Sequence, residues 1–294
     1  MPADTAVRPG HSTVLLEEPV PQEVRDTLCG FSLLLGGANV IMQLSRLPVG
    51  HGVAKSTVDS GRVDKHPLKR LRTTSAFLVI SMHGTVEERL KLRSEIARSH
   101  ASVHSKPDDE VQYNAFDPEL QLWVAACLYF GTEDVYTRMY GPLRREQRVR
   151  LLNHGKRFGT TLQMPDGMWP ETPEAFDEYW ADGCSKIQMD DFTRHYLQGI
   201  ATNRFLFEPL GRYGRRLAKA NAPGATFAQL GFLPKPFRDE LGLPWNDEAQ
   251  RKHDAHFGRL ARRAARMPHL LRDFPLNAYL WDTRRRLHAG KAVV

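Results

Sequence analysis

The 294-residue sequence contains only three cysteines, Cys29, Cys127 and Cys184, and they lie far apart. Because no Cys-x-x-Cys pair occurs, we do not expect a cysteine-bound zinc site or a disulfide framework. Cys127 lies within an apolar run, which indicates a small core residue. Cysteines without an evident partner are typical of a reducing compartment.

Long hydrophobic runs are missing as well. The most apolar segment, 31–42, is interrupted by Gly36 and Gly37 and is too short to span a bilayer. The first 21 residues lack the basic start and apolar stretch of a signal peptide. We therefore expect a soluble, cytoplasmic protein without a transmembrane segment. Residues 1–30 are predicted to form a partly flexible N-terminal extension, and residues 31–290 one domain.

The signatures of common enzyme classes are absent too. The sequence has no G-x-G-x-x-G, no G-x-x-x-x-G-K-[ST], no G-x-S-x-G and no H-E-x-x-H. It has no Glu-x-x-His pair, so a ferritin-like di-iron bundle lacks its ligands. His253 and His256 have helical spacing, but the surrounding helix is strongly polar. We interpret that pair as part of a solvated face rather than as a metal site.

Positive charge is in excess, with a formal net charge of +7. The late arginines that contribute to it are Arg259, Arg262, Arg263, Arg266, Arg284, Arg285 and Arg286. Such a distribution suits a solvated helix face, an anionic ligand, acidic lipid or nucleic acid. Because no recognition-helix, zinc-finger or RNA-binding signature accompanies it, we expect no nucleic-acid partner.

Helix start signals recur along the chain, whereas the period-2 alternation and tight hairpin turns of β-strands are absent. Pro67 opens an apolar-rich segment that Gly84 closes. Thr85 and Glu88 then form a capping box, in which each side chain accepts the backbone N–H of the other residue. We expect the helix that follows to run to about His104.

Further helix starts are predicted where an Asp, Thr or Asn cap precedes the first turn. These starts are Asp117-Pro118-Glu119, with a helix ending at Gly131; Thr172-Pro173-Glu174; and Asn246-Asp247-Glu248, with a helix to about Met267. Pro268 begins a final helical region toward His288. The segments 105–113, 164–170 and 221–226 are short enough to be loops within one domain. The sequence therefore predicts an all-α fold, a single globular domain of many helices.

Two histidines fall on the apolar side of the helix that begins at Val86. At about 100° per residue, Val86 and Leu90 share one side with His100 and His104, which are one turn apart. A histidine on such a face is either a core residue bonded to a backbone carbonyl or a ligand. The pattern alone leaves both interpretations open.

Arg70 and Thr74 form a second polar pair, stacked at i and i+4 where their helix becomes apolar. An ordinary interpretation is an arginine at a helix start and a threonine bonded to its own backbone. The functional interpretation is an arginine that neutralises a buried anion, with a hydroxyl donor beside it.

Several short motifs occur in a fixed order. They are Gly36-Gly37-Ala38-Asn39, Leu47-Pro48-Val49-Gly50-His51-Gly52-Val53, Pro67-Leu68-x-Arg70-Leu71-x-x-Thr74, Gly84-Thr85, His100-Ala101-x-Val103, Tyr113-Asn114-Ala115-Phe116-Asp117-Pro118-Glu119-Leu120, Leu122-Trp123-Val124, Tyr179-Trp180, Leu233-Pro234 and Arg238-x-x-Leu241-Gly242-Leu243-Pro244. This order and spacing resemble the catalytic-domain family of rubber oxygenase (latex clearing protein) and mycophenolic-acid oxygenase. The resemblance spans about residues 33–286.

The resemblance implies a helical domain enclosing one haem b (iron protoporphyrin IX), with His100 as the axial iron ligand. Arg70 and Thr74 match the family's distal Arg-x-x-x-Thr pair and would be the catalytic donors that stabilise negative charge on oxygen. His104 matches the position of an arginine near the haem of rubber oxygenase, so it too would contact the cofactor.

The reaction implied is oxygen insertion, desaturation or C=C cleavage on a small hydrophobic substrate, such as a terpenoid or another secondary metabolite. Its oxidant would be dioxygen or peroxide, together with an electron donor where the reaction requires one. The alternative is a non-catalytic haem-binding or apolar-ligand-binding protein of the same fold. The oligomeric state is left open.

The chain also departs from rubber oxygenase. That enzyme has a lysine just before the distal threonine as a second axial ligand, whereas Thr73 stands here. Its proposed catalytic glutamate has no clear match, and Asp59 and Asp64 are only the nearest acids. Both departures, with the missing export signal, argue against polyisoprene as the substrate.

Overall fold

The computed structural model describes residues 19–56, 58 and 63–293. Across these residues the regular structure is helical, apart from one isolated antiparallel bridge between His104 and Asn114. The α-helices are α1 Gln22–Thr27, α2 Gly36–Leu44, α3 Leu47–Ala54, α4 Pro67–His83, α5 Val86–His100, α6 Pro118–Tyr140, α7 Arg145–Thr161, α8 Pro173–Ser185, α9 Asp191–Ala201, α10 Arg204–Phe207, α11 Gly211–Phe232, α12 Lys235–Leu241, α13 Asp247–Ala265, α14 His269–Arg272 and α15 Leu276–His288. Short 3₁₀ helices occupy Gly30–Leu35, Asp166–Met168 and Glu208–Leu210. The predicted all-α fold is confirmed.

The centre of the molecule is α6, which packs against α2, α7 and α13. Its side chains are buried on several sides, as expected for a helix surrounded by others. Those without exposed surface include Trp123, Ala125, Ala126, Cys127 and Tyr129. Cys127 is thus the core residue that its apolar surroundings predicted, and all three cysteines are free.

The predicted end of α6 at Gly131 was wrong, because the helix continues to Tyr140 and is closed by Gly141 at φ 91°. Gly131 has a packing role instead. The Asn39 side chain of α2 occupies the space that a Cβ would need and donates to the Cys127 carbonyl oxygen at 2.7 Å. A glycine inside a helical pattern marked the close approach of a neighbouring helix, not a C-cap.

The loop predicted at 221–226 was also wrong, because α11 runs from Gly211 to Phe232 with Pro223 inside it. A proline removes one helical hydrogen bond and disfavours this geometry. The helix persists because its C-terminal half is anchored in the core, where Leu230 has no exposed surface. Tertiary packing therefore overrides the local breaker signal at this point.

The capping box at the start of α5 is confirmed. The Thr85 hydroxyl accepts the Glu88 N–H at 3.2 Å, and the Glu88 carboxylate accepts the Thr85 N–H at 2.9 Å. The end of the helix was placed one turn too late: α5 ends at His100. Beyond it the Val103 N–H bonds back to the His100 carbonyl, and His104 lies in the isolated bridge.

The buried side of α5 also differs in register from the predicted one. Leu90 is 56% exposed, whereas Glu88, Leu92 and Ile96 are buried at four-residue spacing. His100 is the next residue along that buried row. The helix therefore still directs His100 toward the interior, but the residues that share its face are Glu88, Leu92 and Ile96 and not Leu90.

The described part of the predicted extension packs onto the domain. Helix α1 contacts α6 and α7, and Val24 and Cys29 have no exposed surface. Glu23 is buried and paired with Arg150. Residues 19–30 thus belong to the packed body, while residues 1–18 lie outside the described range.

The remaining helix starts match the sequence signals. Thr172 caps α8 and Asn246 caps α13, each through a side-chain oxygen that accepts a backbone N–H. The final region divides into α14 and α15. In the part of the chain that the structure describes, no helix is both long and apolar enough to cross a membrane.

His253 corrects the interpretation of its helix as uniformly solvated. It has no exposed surface, and its ring packs edge-on against Phe232 with centroids 4.5 Å apart. Its Nε2 lies 3.2 Å from the Ala228 carbonyl oxygen, whereas His256 is exposed. Among the described residues, no group of three or more His, Cys, Asp or Glu side chains is arranged to hold a metal ion.

Candidate functional site

Helices α2 to α6 surround a cavity of about 230 Å³. His100, at the end of α5, lines it together with Arg70 and Thr74 of α4. The apolar residues of its wall include Val40, Leu44, Val49, Val53, Phe77, Ile96, Val124, Leu128 and Leu162. The structure therefore brings three of the four predicted site residues to one largely apolar cavity.

A second, larger cavity of about 550 Å³ adjoins the first along α4. Thr73 and Phe77 face only the smaller cavity, Leu71 faces only the larger one, and Arg70 and Thr74 line both. This arrangement follows from the helical period, which places residues 70 and 74 between the two faces. The larger cavity falls within the roughly 300–1,000 Å³ of typical ligand pockets, and the smaller one lies just below.

Arg70 is a cation held in the cavity wall without a counter-ion. Within the described part of the chain, its side chain has neither an ion pair nor a hydrogen bond. The pKa of Arg70 is lowered because burial disfavours the charged guanidinium, and the nearby Tyr196 acts in the opposite direction. Arg70 is half-buried, and a charge that is partly removed from water without a partner is costly, so this site is suited to a ligand that brings negative charge or acceptor oxygens.

His100 presents a neutral imidazole to the cavity. Its pKa is lowered by burial; the side chain of Gln163 opposes that shift and the charge of Arg70 adds to it. The Nδ1 atom is buried and has no hydrogen-bond partner among the described residues. The ring packs edge-on against Phe116, with centroids 6.2 Å apart. A neutral ring with an unused nitrogen is what a metal ligand requires.

The two threonines on α4 differ in how their hydroxyls are used. Thr73 is buried, and its hydroxyl donates to the Arg70 carbonyl oxygen of its own helix at 3.2 Å. The Thr74 hydroxyl makes no such bond within the described residues, and its side chain lines both cavities. The sequence allows the Thr74 hydroxyl to bond to its own helix backbone, but it is the Thr73 hydroxyl that does so. The Thr74 hydroxyl is therefore free to donate to a ligand.

His104 is not brought to this cavity. It is exposed, it lines neither cavity, and its Nδ1 lies 3.3 Å from the Ser105 carbonyl oxygen. The reason is the end of α5 at His100, after which the chain no longer follows the helical face. A cofactor contact by His104 stays a prediction that this position does not favour.

The candidate acids contribute little to the cavity. Asp59 lies outside the described residues. Asp64 is described but is not among the residues that line either cavity, and the Tyr196 hydroxyl lies 3.4 Å from its Oδ1.

Sequence reasoning missed two glutamines near His100. Gln121 lines the smaller cavity, donates to the Ala115 carbonyl oxygen at 2.8 Å, and has a buried Oε1 without a partner in the described structure. Gln163 has φ 79°, a left-handed conformation that is rare for a residue with a Cβ. Its Nε2 donates to the Arg93 carbonyl oxygen at 3.2 Å. The one available signal was the position of Gln121 between two motifs, one ending at Leu120 and the next beginning at Leu122.

Comparison with known proteins identifies the family to which this sequence is similar. The family model for the catalytic domain of ER-bound oxygenase mpaB/B' and rubber oxygenase matches residues 26–266. The chain belongs to this family of oxygenases. An uncharacterized protein of Mycobacterium tuberculosis and one of Mycobacterium bovis are each 42% identical to it over 262 residues, which is 89% of this chain and 100% of each relative. No solved structure matches the chain significantly.

The mpaB/rubber oxygenase family match agrees with the resemblance found in the sequence motifs. Thr73 occupies the position at which rubber oxygenase has the lysine that serves as a second axial ligand. Thr73 is buried, and its hydroxyl is bonded to the helix backbone. A neutral threonine in that state supplies no amine for an iron. Among the described residues that line the smaller cavity, the one histidine is His100.

The side chains that line the smaller cavity are of the types that hold a haem. A porphyrin supplies the in-plane ligands of its iron, so a single protein histidine is sufficient and a cluster of metal ligands is not needed. His100 meets this requirement through its unpartnered ring nitrogen. The apolar wall suits the macrocycle, and the unpaired Arg70 suits its negative charge or an oxygen ligand.

Proposed function

We propose that this chain is a haem b-dependent oxygenase that acts on a small hydrophobic substrate. The observation that supports the proposal most strongly is the shared cavity, which is lined by His100 with its unpartnered Nδ1, by the unpaired Arg70 and by Thr74 with its free hydroxyl. Three polar groups without partners, set in an apolar wall, indicate a site built for a ligand.

In this proposal His100 would hold haem b as its axial iron ligand. When bound, the haem would supply the redox chemistry with dioxygen or peroxide. Burial keeps the His100 ring neutral, since the pKa of His100 is lowered. A neutral ring is the form that has a lone pair to donate.

Arg70 and Thr74 would act as fixed donors. Both lie where the two cavities meet, so they can donate to negative charge that develops on oxygen during the reaction. Donors already fixed in a dry, low-dielectric site need no reorganisation at the moment of reaction. The apolar side chains around them exclude water from the reacting atoms.

The lining of the larger cavity is the evidence for a hydrophobic substrate, such as a terpenoid or another secondary metabolite. The described lining is predominantly apolar and includes Leu33, Leu78, Val79 and Met82. A substrate held there would lie next to Arg70 and Thr74, the residues shared with the smaller cavity. Oxygen insertion, desaturation and C=C cleavage are the reaction classes compatible with that placement.

Oxygen uptake tests this proposal. Haem-loaded protein is given dioxygen, or peroxide, with a reductant and a panel of terpenoids, and products are identified by mass spectrometry with isotopically labelled dioxygen. We expect substrate-dependent oxygen consumption and a product oxidised relative to the substrate. Tight binding of terpenoids without turnover under any of these conditions would instead assign the chain to the non-catalytic binding proteins of this fold.

A further inference from the structure

The larger cavity opens to the surface between exposed leucines. Four leucines that line it, Leu34, Leu68, Leu71 and Leu206, are between 40% and 75% exposed. They come from three separate elements: the 3₁₀ helix Gly30–Leu35, α4 and α10. Side chains that face both a cavity and solvent mark its mouth.

The apolar surface continues from α10 onto α11. Leu210, Tyr213 and Leu217 are spaced for one helical face, and each is about half exposed or more. Gly214, beside them on the helix, is buried against the Phe207 backbone. We call these three residues and the four leucines of the mouth the mouth surface. An exposed apolar area of this extent is typical of a surface that is covered in use.

Cations that form no ion pair in the described structure flank the mouth surface. They are Lys69 and Arg72 on α4, and Arg212, Arg215, Arg216 and Lys219 on α11, all of them exposed. Neither α4 nor α11 contains an acidic residue, and the described structure shows no ion pair of these six side chains. Asp282 of α15 does lie near Arg72: a hydrogen bond from Arg285 lowers the pKa of Asp282, and the charge of Arg72 lowers it further. By contrast, lysines elsewhere pair within their own helices, as Lys91 does with Glu87 and Lys252 with Glu248.

We propose that the mouth surface binds a lipid bilayer that contains anionic lipid. Exposed leucines at the acyl boundary with cations at the headgroups are the combination that holds a protein on such a bilayer. The charge favours an anionic membrane, because its headgroups supply the negative charge that α4 and α11 do not contain. The cavity would then open directly to hydrocarbon, and an apolar substrate would enter it without crossing water.

This inference goes beyond the proposed function and does not depend on haem. Co-sedimentation of the full chain with vesicles tests it, with phosphatidylcholine alone compared against phosphatidylcholine mixed with phosphatidylserine. We expect binding to the anionic vesicles that declines as salt screens the cations. The measurement is made on both haem-free and haem-loaded protein, so a missing haem and a missing membrane contact are told apart.

Variants locate the contact. L68Q/L71Q should lose vesicle binding, whereas the control Leu90→Gln, at an exposed leucine of α5 that lines neither cavity, should retain it. K69Q/R72Q should weaken binding roughly 30-fold, since each cation near an anionic surface contributes about 1 kcal/mol. The matched control R259Q/R262Q, on the exposed face of α13, should bind as the unchanged chain does.

Two results would overturn the proposal. One is vesicle binding that is absent, or that L68Q/L71Q leaves unchanged while circular dichroism shows all variants folded. The other is self-association in sedimentation velocity that L68Q/L71Q abolishes in the absence of lipid, which would assign the mouth surface to a second copy of the chain.

Discussion

At the scale of single residues, the side chain on which the proposed chemistry depends most is Arg70. Its guanidinium lies at the junction of two cavities, and burial lowers the pKa of Arg70 without a carboxylate to offset the cost. A ligand with negative charge would supply the partner that the described residues do not. Thr74, one turn away, offers the only threonine hydroxyl on the described α4 that is not bonded to backbone.

Substitution at these two positions should separate chemistry from folding. Arg70→Ala and Thr74→Val should each lower turnover about 100-fold or more, the usual effect of removing one fixed donor to developing charge. Thr74→Ser keeps the hydroxyl and should retain most of the activity. Turnover is measured by oxygen uptake, and haem content is measured beside it.

Arg98→Ala, at an exposed arginine on α5, is the matched control and should behave as the unchanged chain. If Thr74→Val turned over as fast as Thr74→Ser, the hydroxyl would have no part in the reaction.

The sequence predicted some site residues and missed others for identifiable reasons. His100, Arg70 and Thr74 were found because a polar residue on an apolar helix face is unusual and because the family motifs marked them. His104 was extrapolated from a helix that ends one turn earlier. Gln163 was missed because its approach to His100 depends on a left-handed backbone after α7, which no spacing in the sequence reports.

At the scale of elements, the start of α5 shows how a local signal determines the position of a functional residue. The capping box fixes where the helix begins, and His100 is its last residue. Glu88 has a further role, since the buried carboxylate also pairs with Arg284 of α15 at 3.2 Å. The capping box therefore fixes the start of α5, and its glutamate also links α5 to α15.

Removing the cap should cost stability but not cofactor binding. Thr85→Ala should lower the free energy of unfolding by about 1 kcal/mol, because an N-cap hydroxyl no longer satisfies a backbone N–H. His100 is about 20 Å away along the helix and should still hold its ligand. Urea denaturation of the haem-free protein measures the loss, with Thr85→Ser as a control that keeps the cap. An unchanged midpoint in Thr85→Ala would show that the cap contributes nothing.

Element boundaries were harder to predict than element starts. Starts depend on caps and prolines within a few residues, as at Thr85, Asp117 and Asn246. Ends depend on neighbours that the local sequence does not show. Gly131 lies inside α6 because Asn39 needs the space, and Pro223 lies inside α11 because the helix beyond it is buried.

At the scale of the whole molecule, two buried histidines link stability to pH. Burial, with repulsion from His154, lowers the pKa of His83 from 6.5 to about 4. Burial likewise lowers the pKa of His154 to about 4, although its Nε2 lies 2.7 Å from the Met82 carbonyl oxygen. The folded protein therefore holds both rings neutral at neutral pH.

These shifts predict loss of stability in mild acid. Between pH 6.5 and about 4 the unfolded chain binds protons on these rings and the folded chain does not, so the free energy of unfolding falls as pH falls. The loss attributable to His154 should approach about 3 kcal/mol below that window. His154→Gln, which keeps a donor to Met82, should flatten the pH dependence in urea denaturation. His256→Gln, at an exposed histidine, should leave it unchanged, and equal slopes in all three proteins would contradict this explanation.

The central claim, that this helical domain holds haem b through His100, is tested most directly by the haem content of purified protein. The pyridine haemochrome assay with the visible spectrum should give about one haem b per chain after haemin addition. His104→Ala should retain that haem, because His104 is exposed and lines neither cavity, whereas His100→Ala should lose tight retention. A protein that stays colourless with haemin, or a His100→Ala variant that keeps a histidine-ligated spectrum while His104→Ala loses its haem, would contradict the account.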